Sequence, residues 1–421
     1  MANRGNALCL KAPFGPITGK VALPASKSIS NRLLIINALA YSPFKINNLS
    51  DSDDTRIMDS ILKSNDSRFN VGHAGTAMRF LTAFLARTAG IWEITGSERM
   101  QQRPVAILVD ALRKLGARIE YTGNEGFPPL KIYGSHLMGG VLEMDGSVSS
   151  QYITALLMIA PTLEGGLTLR LKNKITSRSY ITLTLKLLEQ AGIRSFMKNN
   201  EIRIPGQPFL PTEYSVESDW SAASYWYEIL ALSGSGEIEL ENLRLSGLQG
   251  DEAIARWFEP FGIVTISTER GIVISRNQKL RPPRLFLSFD ENPDVGQTMA
   301  ALCVALEIPF HFTGLETLRI KETDRIAALQ HELAKFGAEI STPAPGELKW
   351  DGKINPSSTN PVPVIETYDD HRMAMAFAPM ALTGKPVVIR NHGVVTKSYP
   401  RFWGDLSAVG FLLNADEQIP E

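Results

Sequence analysis

Six segments of the chain share one pattern, in which a polar start is followed by an apolar run rich in small residues. They cover residues 28–40, 75–89, 149–160, 219–233, 295–306 and 370–382. Apolar residues occupy all sides of a helix drawn through these segments, which is typical of a buried helix. We call these six predicted helices the A helices.

A second set of segments is amphipathic instead. These segments cover residues 55–63, 105–115, 181–190, 253–261, 326–336 and 402–409. Leu108, Leu112 and Leu115, for example, have the i, i+4, i+7 spacing of one buried helix face. We call these predicted helices the B helices, and they alternate with the A helices along the chain.

The B helices recur at a nearly constant interval, which indicates a repeat. The last five begin at residues 105, 181, 253, 326 and 402, so the repeat is about 75 residues long and its first copy is shortened. Strands are predicted between the helices at residues 118–121, 167–171, 202–204, 272–274 and 387–390. The alternative explanation is an ordinary alternation of strands and helices with accidental spacing.

The length of 421 residues predicts two domains rather than one. Six copies then divide into three per domain. We expect copies one to three to form a domain over residues 25–216. Copies four to six, over residues 217–421, form the second domain, and residues 1–24, with a predicted strand at 7–11, are assigned to it. The fold class is α/β.

Cations recur at the starts of the predicted helices. They are Lys27, Arg32, Arg79, Arg103, Lys321, Arg325, Arg372 and Lys397. The start of a helix carries unpaired amide groups and a partial positive charge, so these cations and the nearby serines predict anion-binding sites. For any single cation, a solvated or salt-bridged surface position is an equally good explanation. If each helix has the same place in its repeat, the starts converge, and we expect the active site in a cleft between the domains.

Composition narrows the class of ligand. The net charge of −1 argues against nucleic acid or a membrane surface as a partner, and no apolar run reaches the length of a membrane span. Small phosphates and carboxylates fit better, because guanidinium groups bind both through paired hydrogen bonds. The sequence contains neither of the common glycine-rich nucleotide-binding motifs.

Cys9 and Cys303 form no metal or redox motif, and we expect a cytoplasmic protein.

Two acidic residues are candidates for proton transfer. Asp294 and Glu322 lie in separate segments, each near cations or a helix start. The alternatives are a helix cap for Asp294 and an ion pair with Lys321 for Glu322. His371 lies beside two aspartates, but no pair of histidines has metal-binding spacing, so we expect no metal.

Nine collinear motifs resemble one known family. They are PASKSISNR, AGTAMR, QRP with LVDALRKLGA, DGSVSSQYITALLM, TSRSY, the PD of DENPD, RIKETDR, DDHRMAMA and TKSYP. The chain is similar along its length to the 5-enolpyruvylshikimate-3-phosphate synthase family. The resemblance implies two domains, each of three βαβαββ repeats in an inside-out α/β barrel. It also implies transfer of the enolpyruvyl group of phosphoenolpyruvate to the 5-hydroxyl of shikimate 3-phosphate, through a tetrahedral intermediate, on the shikimate route to chorismate and aromatic amino acids. No cofactor is expected, and we expect a monomer.

The resemblance also implies residue roles. The residues implied to bind phosphoenolpyruvate are Lys27, Gly75, Arg103, Gln151, Arg325, Arg372 and Lys397. Those implied to bind shikimate 3-phosphate are Lys27, Ser28, Arg32, Ser149, Ser150, Gln151, Ser177, Tyr180, Asp294 and Lys321. Asp294 is implied to act as the base on the 5-hydroxyl. Glu322, supported by Lys27 and His371, is implied to handle the proton at the methylene carbon.

Three positions depart from the family pattern, and other functions remain open. His73, Phe80 and Thr317 stand where asparagine, proline and asparagine are usual, which leaves fine geometry and inhibitor sensitivity undetermined. One alternative is the related transferase that acts on UDP-N-acetylglucosamine, which uses a loop cysteine that has no counterpart here. The others are a non-catalytic anion-binding protein and an RNA-end-processing relative.

Overall fold

The computed structural model describes residues 7–415, which divide into two compact units. The N-terminal unit is Ala25–Val216. The C-terminal unit combines residues 7–24 with residues 217–415.

Helices occur in both units, and their bounds follow the predicted repeat. In the N-terminal unit they are α1 (Lys27–Leu39), α2 (Asp53–Lys63), α3 (Gly75–Arg87), α4 (Ala106–Lys114), α5 (Ser150–Ile159) and α6 (Arg178–Gln190). In the C-terminal unit they are α7 (Trp220–Leu232), α8 (Ile254–Trp257), α9 (Gly296–Ala305), α10 (Arg325–Ala334), α11 (His371–Phe377) and α12 (Phe402–Ala408).

The strands are short. They begin with β1 (Ala7–Lys11), β2 (Ile17–Val21), β3 (Ile46–Asn47), β4 (Arg68–Asn70), β5 (Gly90–Thr95), β6 (Arg118–Tyr121), β7 (Leu130–Gly134), β8 (Met138–Asp145), β9 (Glu164–Lys172), β10 (Phe196–Lys198), β11 (Glu201–Ile204) and β12 (Tyr214–Ser215). They continue with β13 (Gly236–Glu241), β14 (Ile263–Ser267), β15 (Gly271–Arg276), β16 (Leu285–Ser288), β17 (Phe310–Thr313), β18 (Phe336–Ala338), β19 (Leu348–Trp350), β20 (Ile354–Thr359), β21 (Val364–Ile365), β22 (Val387–Arg390) and β23 (Leu412–Asn414).

Four sheets share one topology, which is the structural counterpart of the sequence repeat. Their strand orders are β4-β5-β7-β6, β8-β9-β11-β10, β2-β13-β15-β14 and β21-β22-β1-β23. In each sheet the first pair of strands is parallel and the next two pairs are antiparallel. In the first two sheets a helix connects the parallel strands, as a parallel connection requires, and a second helix leads into the antiparallel pair. The strand β1 lies between β22 and β23, with Cys9 opposite both Val388 and Asn414.

The A helices form the centre of each unit. All of α5 except Gln151 and all of α9 except Ala305 is buried. Helices α1, α3, α5, α7 and α9 begin and end within two residues of the predicted A helices, so those predictions are confirmed. The five predicted strands are also confirmed, as β6, β9, β11, β15 and β22.

The sixth A helix is shorter than predicted. Helix α11 ends at Phe377, and Ala378–Thr383 continues as a 3₁₀ helix. Pro379 has no amide hydrogen to donate to the carbonyl of Met375, and its ring disfavours a continuous α-helix. The prediction of one helix over residues 370–382 is therefore wrong in its second half.

The fourth B helix is also broken. The pattern predicts one helix over residues 253–261, but α8 has four residues, and 3₁₀ turns precede and follow it at Gly250–Ala253 and Glu259–Phe261. Pro260 is responsible at the second turn, since it removes the hydrogen bond to the carbonyl of Arg256. The other five B helices are confirmed with shifts of up to three residues at their ends, as α2, α4, α6, α10 and α12.

Glu228 is a buried acid in the middle of α7. Its side chain is 0% exposed, and neither carboxyl oxygen has a hydrogen-bond partner among the described residues. Burial raises the pKa of this carboxyl well above its usual value of 4.5. Burial therefore favours the protonated form of Glu228 in the folded protein.

We expect the Glu228→Gln variant to be more stable than the parent protein at high pH. The unfolded chain releases the proton of Glu228 near pH 4.5, whereas the folded chain retains it. The free energy of unfolding of the parent protein therefore falls above that pH, by up to about 1.4 kcal/mol per pH unit, until the folded-state pKa is reached. Glutamine has no such proton, so urea unfolding should show a more stable variant at pH 8 and little difference near pH 4.

A second buried glutamate provides the control. Glu332 is also 0% exposed, but it accepts hydrogen bonds from Lys335 Nζ at 2.7 Å and Tyr368 Oη at 2.7 Å. Glu332→Gln should instead lower stability at pH 8, because it removes the carboxylate that accepts hydrogen bonds from Lys335 and Tyr368. Equal pH dependence of the parent protein and Glu228→Gln would contradict the prediction.

Candidate functional site

In the N-terminal unit, the starts of α1 and α3 lack side-chain caps. Ser26 precedes α1 and Ala74 precedes α3, and neither side chain accepts a backbone hydrogen bond from its helix. Uncapped amide groups at a helix start attract anions. Both helix starts therefore have amide groups available to an anion, and the anion sites expected from the sequence stay a prediction.

Hydrogen bonds join the start of α5 to the start of α3 and to the segment before α4. Gln151 Nε2 donates to Thr76 Oγ1 at 3.2 Å, and Tyr152 Oη donates to the carbonyl of Pro104 at 2.6 Å. Ser149 caps α5 by accepting a hydrogen bond from the amide of Gln151. The structure thus brings together three of the predicted sequence clusters.

Arg103 packs directly against Gly75 at the start of α3. A Cβ atom added to Gly75 would lie 2.5 Å from Arg103 Nη1 and 2.9 Å from Nη2, so the close approach requires glycine. The buried Nε of Arg103 has no hydrogen-bond partner among residues 7–415. A cation at a positive helix end is unfavourable by itself, so a bound anion would stabilise this arrangement.

Helix α6 contributes the last predicted group of the N-terminal unit. Ser177 precedes it with φ of +53°, and Tyr180 lies in its first turn. The ring of Tyr180 lies 5.6 Å from Cζ of Arg32 on α1. Arg32 Nη1 donates to the carbonyl of Ser28 at 2.8 Å, so Ser28, Arg32 and Tyr180 are grouped together.

Lys27 has a partner that the sequence analysis did not identify. Its Nζ lies 3.7 Å from Asp54 Oδ2, and the Asp54 side chain is 5% exposed. Asp54 lies in the first turn of α2. The only signal in the sequence was an acidic residue at a predicted helix start, which does not specify a partner. The N-terminal cluster is the name we use for the following residues: Lys27, Ser28, Arg32, Asp54, Ala74, Gly75, Thr76, Arg103, Pro104, Ser149, Gln151, Tyr152, Ser177 and Tyr180.

In the C-terminal unit, Arg325 is the centre of a second cluster. Its guanidinium, 2% exposed, donates from Nε to Asp370 Oδ2 at 2.6 Å, from Nη1 to Asp294 Oδ1 at 2.9 Å and from Nη2 to Glu322 Oε2 at 2.9 Å. Burial acts to lower the pKa of Arg325, but the three carboxylates together raise it above its usual value. The proton-transfer candidates Asp294 and Glu322 therefore share one cation.

Three further cations surround these two acids. Lys321 Nζ lies 3.5 Å from Asp294 Oδ1, and Arg372 Nη2 lies 3.3 Å from Asp294 Oδ2. Lys397 Nζ lies 3.1 Å from Glu322 Oε1. The C-terminal cluster consists of these residues with Arg325 and Asp370, and its four cations outnumber its three carboxylates.

His371 is connected to this cluster through Asp370. Its ring is 1% exposed, and Nδ1 lies 3.7 Å from Asp370 Oδ1. Asp370 also accepts a hydrogen bond from the amide of Arg372 and so caps α11. The four predicted cations and all three candidate proton-transfer residues of the C-terminal unit are therefore within one connected group.

Asp251 is a second acid that the sequence analysis missed. It is buried and accepts hydrogen bonds from Asn292 Nδ2 at 3.1 Å and from Ser221 Oγ. Burial, and then the negative charge of Asp294, raise the pKa of Asp251 to about 6. It precedes α8, in the region where the predicted helix is broken, so no helix-start pattern identified it.

The two clusters contain groups suited to binding anions and to transferring protons. Guanidinium and ammonium groups hold phosphates and carboxylates, and a carboxylate fixed by such groups exchanges a proton with a bound molecule. No group of three or more potential ligands for a metal occurs in the described part of the chain. Between residues 7 and 415, no helix is both long and apolar enough to cross a membrane.

Comparison with known proteins identifies a family. The family model of EPSP synthase (3-phosphoshikimate 1-carboxyvinyltransferase) matches residues 11–65 and 60–406. A 3-phosphoshikimate 1-carboxyvinyltransferase of Bacteroides fragilis is 49% identical over 410 residues, covering 97% of this chain and 99% of the relative. One from Vibrio atlanticus is 36% identical over 423 residues, covering 94% and 97%. An EPSP synthase structure from Acinetobacter baumannii has the same fold, with a TM-score of 0.78 at 21% identity over 97% of this chain and 100% of that one.

Proposed function

The chain belongs to the EPSP synthase family, and on that premise we propose how its residues divide the work of the reaction. The enzyme transfers the enolpyruvyl group of phosphoenolpyruvate to the 5-hydroxyl of shikimate 3-phosphate and releases phosphate. The observation that supports our assignment most strongly is the shared contact of Asp294 and Glu322 with Arg325.

The reaction requires two proton movements in opposite directions. In the addition step, the 5-hydroxyl oxygen bonds to C2 of phosphoenolpyruvate, loses its proton, and the methylene carbon C3 gains one. In the elimination step, C3 loses a proton, the double bond forms again and the C2–O bond to phosphate breaks. One carboxyl group cannot accept and donate at the same moment, so two acids are needed.

Asp294 and Glu322 fit these two roles. Asp294 takes the proton of the 5-hydroxyl, and Glu322 delivers and later removes the proton at the methylene carbon. Each carboxylate is held by Arg325 and by at least one other cation, which fixes its position. Two basic residues support Glu322 in this proposal. One is Lys27, and the other is His371, which is joined to the same group through Asp370.

The cations of both clusters bind the anionic groups of phosphoenolpyruvate. We assign this binding to Lys27, Arg103, Arg325, Arg372 and Lys397, with the Gly75 backbone and Gln151. Fixed cations stabilise the charge that develops on the departing phosphate without reorganising at the moment of reaction.

The remaining assigned residues bind shikimate 3-phosphate. They are Lys27, Ser28, Arg32, Ser149, Ser150, Gln151, Ser177, Tyr180, Asp294 and Lys321. Serine and tyrosine hydroxyls suit both a phosphate and a ring with hydroxyl groups, because they donate and accept hydrogen bonds. Both clusters are needed in one turnover, because the residues assigned to bind the two substrates are divided between the clusters.

The proposal also covers the oligomeric state, location and cofactor requirement of the enzyme. It acts on two small anions as a cytoplasmic monomer without metal or organic cofactor and without binding nucleic acid. The net charge of −1 supports the last point, since nucleic-acid binding depends on a surplus of basic side chains.

Phosphate release is the direct test of the proposal. The protein is mixed with phosphoenolpyruvate and shikimate 3-phosphate, with each substrate alone, and with phosphoenolpyruvate and UDP-N-acetylglucosamine. Release only with the first pair is the expected result. Release with the nucleotide sugar instead would assign the chain to the related transferase, and no release in any mixture would favour a non-catalytic anion-binding protein.

Gly75→Ala should weaken phosphoenolpyruvate binding selectively. The new Cβ would overlap the Arg103 guanidinium, which must then move away from the start of α3. Loss of one well-placed charged hydrogen-bond donor raises KM by roughly 10- to 100-fold. Steady-state kinetics should show this rise for phosphoenolpyruvate and a much smaller change for shikimate 3-phosphate.

A second glycine in the same unit provides the control. A Cβ atom added to Gly116, which lies after α4, would meet no atom within 4 Å. Gly116→Asn therefore changes no contact of the cluster, and asparagine tolerates the φ of +96° at this position better than alanine. Equal changes in KM for both substrates in Gly75→Ala would contradict a selective role for the contact between Gly75 and Arg103.

A further inference from the structure

Arg32 is a buried cation without a carboxylate partner. Its side chain is 3% exposed, and no carboxylate among residues 7–415 forms an ion pair with it. Burial lowers the pKa of its guanidinium to about 10, so the group still carries its charge at neutral pH. A buried charge of this kind needs some other feature to hold it in place.

Two aromatic rings lie against this guanidinium. Its Cζ is 5.4 Å from the ring centroid of Phe80 on α3 and 5.6 Å from that of Tyr180 on α6. The face of an aromatic ring attracts a cation, and the attraction is larger where water is excluded. Phe80 is itself 1% exposed, so it acts through Arg32 and not by contact with a ligand.

Hydrogen bonds hold only part of the Arg32 guanidinium. Arg32 Nε donates to Thr184 Oγ1 at 2.8 Å, and Nη1 donates to the carbonyl of Ser28 at 2.8 Å. Nη2 makes no hydrogen bond with any residue from 7 to 415. The guanidinium is therefore oriented by neutral partners and retains an N–H group for a ligand.

We propose that Phe80 is a positioning residue, which holds Arg32 in the orientation that binds shikimate 3-phosphate. A carboxylate in the place of the ring would also hold the guanidinium, but it would cancel the charge and compete with the anionic substrate. A ring leaves the positive charge available. The inference rests on the proposed function, because that proposal assigns Arg32 to shikimate 3-phosphate.

The first test replaces the ring by an apolar side chain without a π face. Phe80→Leu should raise the KM for shikimate 3-phosphate by roughly 5- to 30-fold, the range expected from losing a buried cation–π contact. The KM for phosphoenolpyruvate and kcat should change by less than about twofold, since Arg32 is assigned to neither role. Binding of shikimate 3-phosphate alone, measured by calorimetry, should weaken by the same factor.

Phe69→Leu is the matched control. Phe69 is a buried phenylalanine in the same unit, 7% exposed, and its ring stacks on Trp92 at 6.1 Å. Loss of this ring also reduces packing, but it should leave both KM values unchanged. If Phe80→Leu does not fold, Phe80→Met is used instead, because methionine fills the space better and also lacks a ring.

A double-mutant cycle tests whether Phe80 acts through Arg32. Once Arg32→Met has removed the cation, adding Phe80→Leu should change the affinity for shikimate 3-phosphate by less than about twofold. Independent, multiplying effects of the two substitutions would overturn the proposal. So would an unchanged KM for shikimate 3-phosphate in Phe80→Leu.

Failure of this inference can be distinguished from failure of the proposed function. A parent protein that releases phosphate from the two substrates, together with a Phe80→Leu variant of unchanged affinity, refutes only the role of Phe80. A parent protein that neither binds shikimate 3-phosphate in calorimetry nor releases phosphate refutes the proposed function, and the inference with it.

Discussion

Asp294→Asn is expected to lower kcat by about 100- to 10,000-fold, the usual contribution of a general base. Asparagine has nearly the same size and can still accept hydrogen bonds from Arg325 and Arg372, which hold Asp294 at 2.9 and 3.3 Å. Its amide oxygen has no useful affinity for a proton, so the 5-hydroxyl would keep its own. Steady-state phosphate release at saturating substrates gives kcat, and calorimetry gives the affinity for shikimate 3-phosphate.

The affinity for shikimate 3-phosphate should change far less than kcat, because the other residues assigned to this substrate are unaltered. Asp290→Asn is the control in the same segment, since Asp290 contacts Ser288 at 2.9 Å in an exposed loop and has no assigned role. A kcat within about tenfold of the parent value in Asp294→Asn would remove this residue from proton transfer. Equal losses in the two variants would indicate a general disturbance of the segment.

The fold was predictable where one local pattern determines the structure. The start of α9 and its apolar body are visible in the sequence, and the helix has its predicted bounds to within one residue. Pro260 and Pro379 were also visible, but their effect on a helix depends on whether the surrounding core tolerates a 3₁₀ turn. The two helices that contain them were therefore predicted to be too long.

The site was predictable in its cations and less so in their partners. Lys27, Arg103 and Arg325 are recognisable because they lie near predicted helix starts. Asp54 and Asp251 are not, because their roles depend on which elements pack together. The hydrogen bond between Asn292 and Asp251, for example, joins residues 41 positions apart in the sequence. Local spacing carries no information about such a contact.

Phe80 shows a further limit of local patterns. In the sequence it is one of several apolar residues in a helix with ten buried positions, and core packing explains it fully. Its contact with a charged group of another helix appears only in three dimensions. The sequence resemblance marked this position as unusual, but it could not indicate what the ring does.

Arg325→Met should lower the free energy of unfolding of the C-terminal unit by about 3–5 kcal/mol, the cost of breaking a buried ion pair from one side. The substitution leaves Asp294, Glu322 and Asp370 without their common partner, and the Asp370 side chain is 0% exposed. Five of the six tryptophans lie in this unit, so tryptophan fluorescence during urea unfolding reports mainly on it.

Arg319→Met is the matched control, since it makes the same chemical change at the surface. Arg319 pairs with Asp324 at 3.0 Å, but both side chains are more than a third exposed. Such surface pairs contribute about 0–1 kcal/mol, so the control should unfold at nearly the parent urea concentration. Similar effects of the two substitutions would mean that Arg325 is not the organising cation of its cluster.

Arg325→Lys separates the charge from the geometry of the guanidinium. Lysine retains one positive charge, but a single ammonium group cannot reproduce the contacts that Arg325 makes with three carboxylates through three nitrogens. We expect it to recover part of the stability lost in Arg325→Met and to recover much less of kcat. Asp294 and Glu322 would then keep a cation nearby but would no longer be held in fixed positions. Full recovery of kcat by lysine would show that the reaction depends on the positive charge alone.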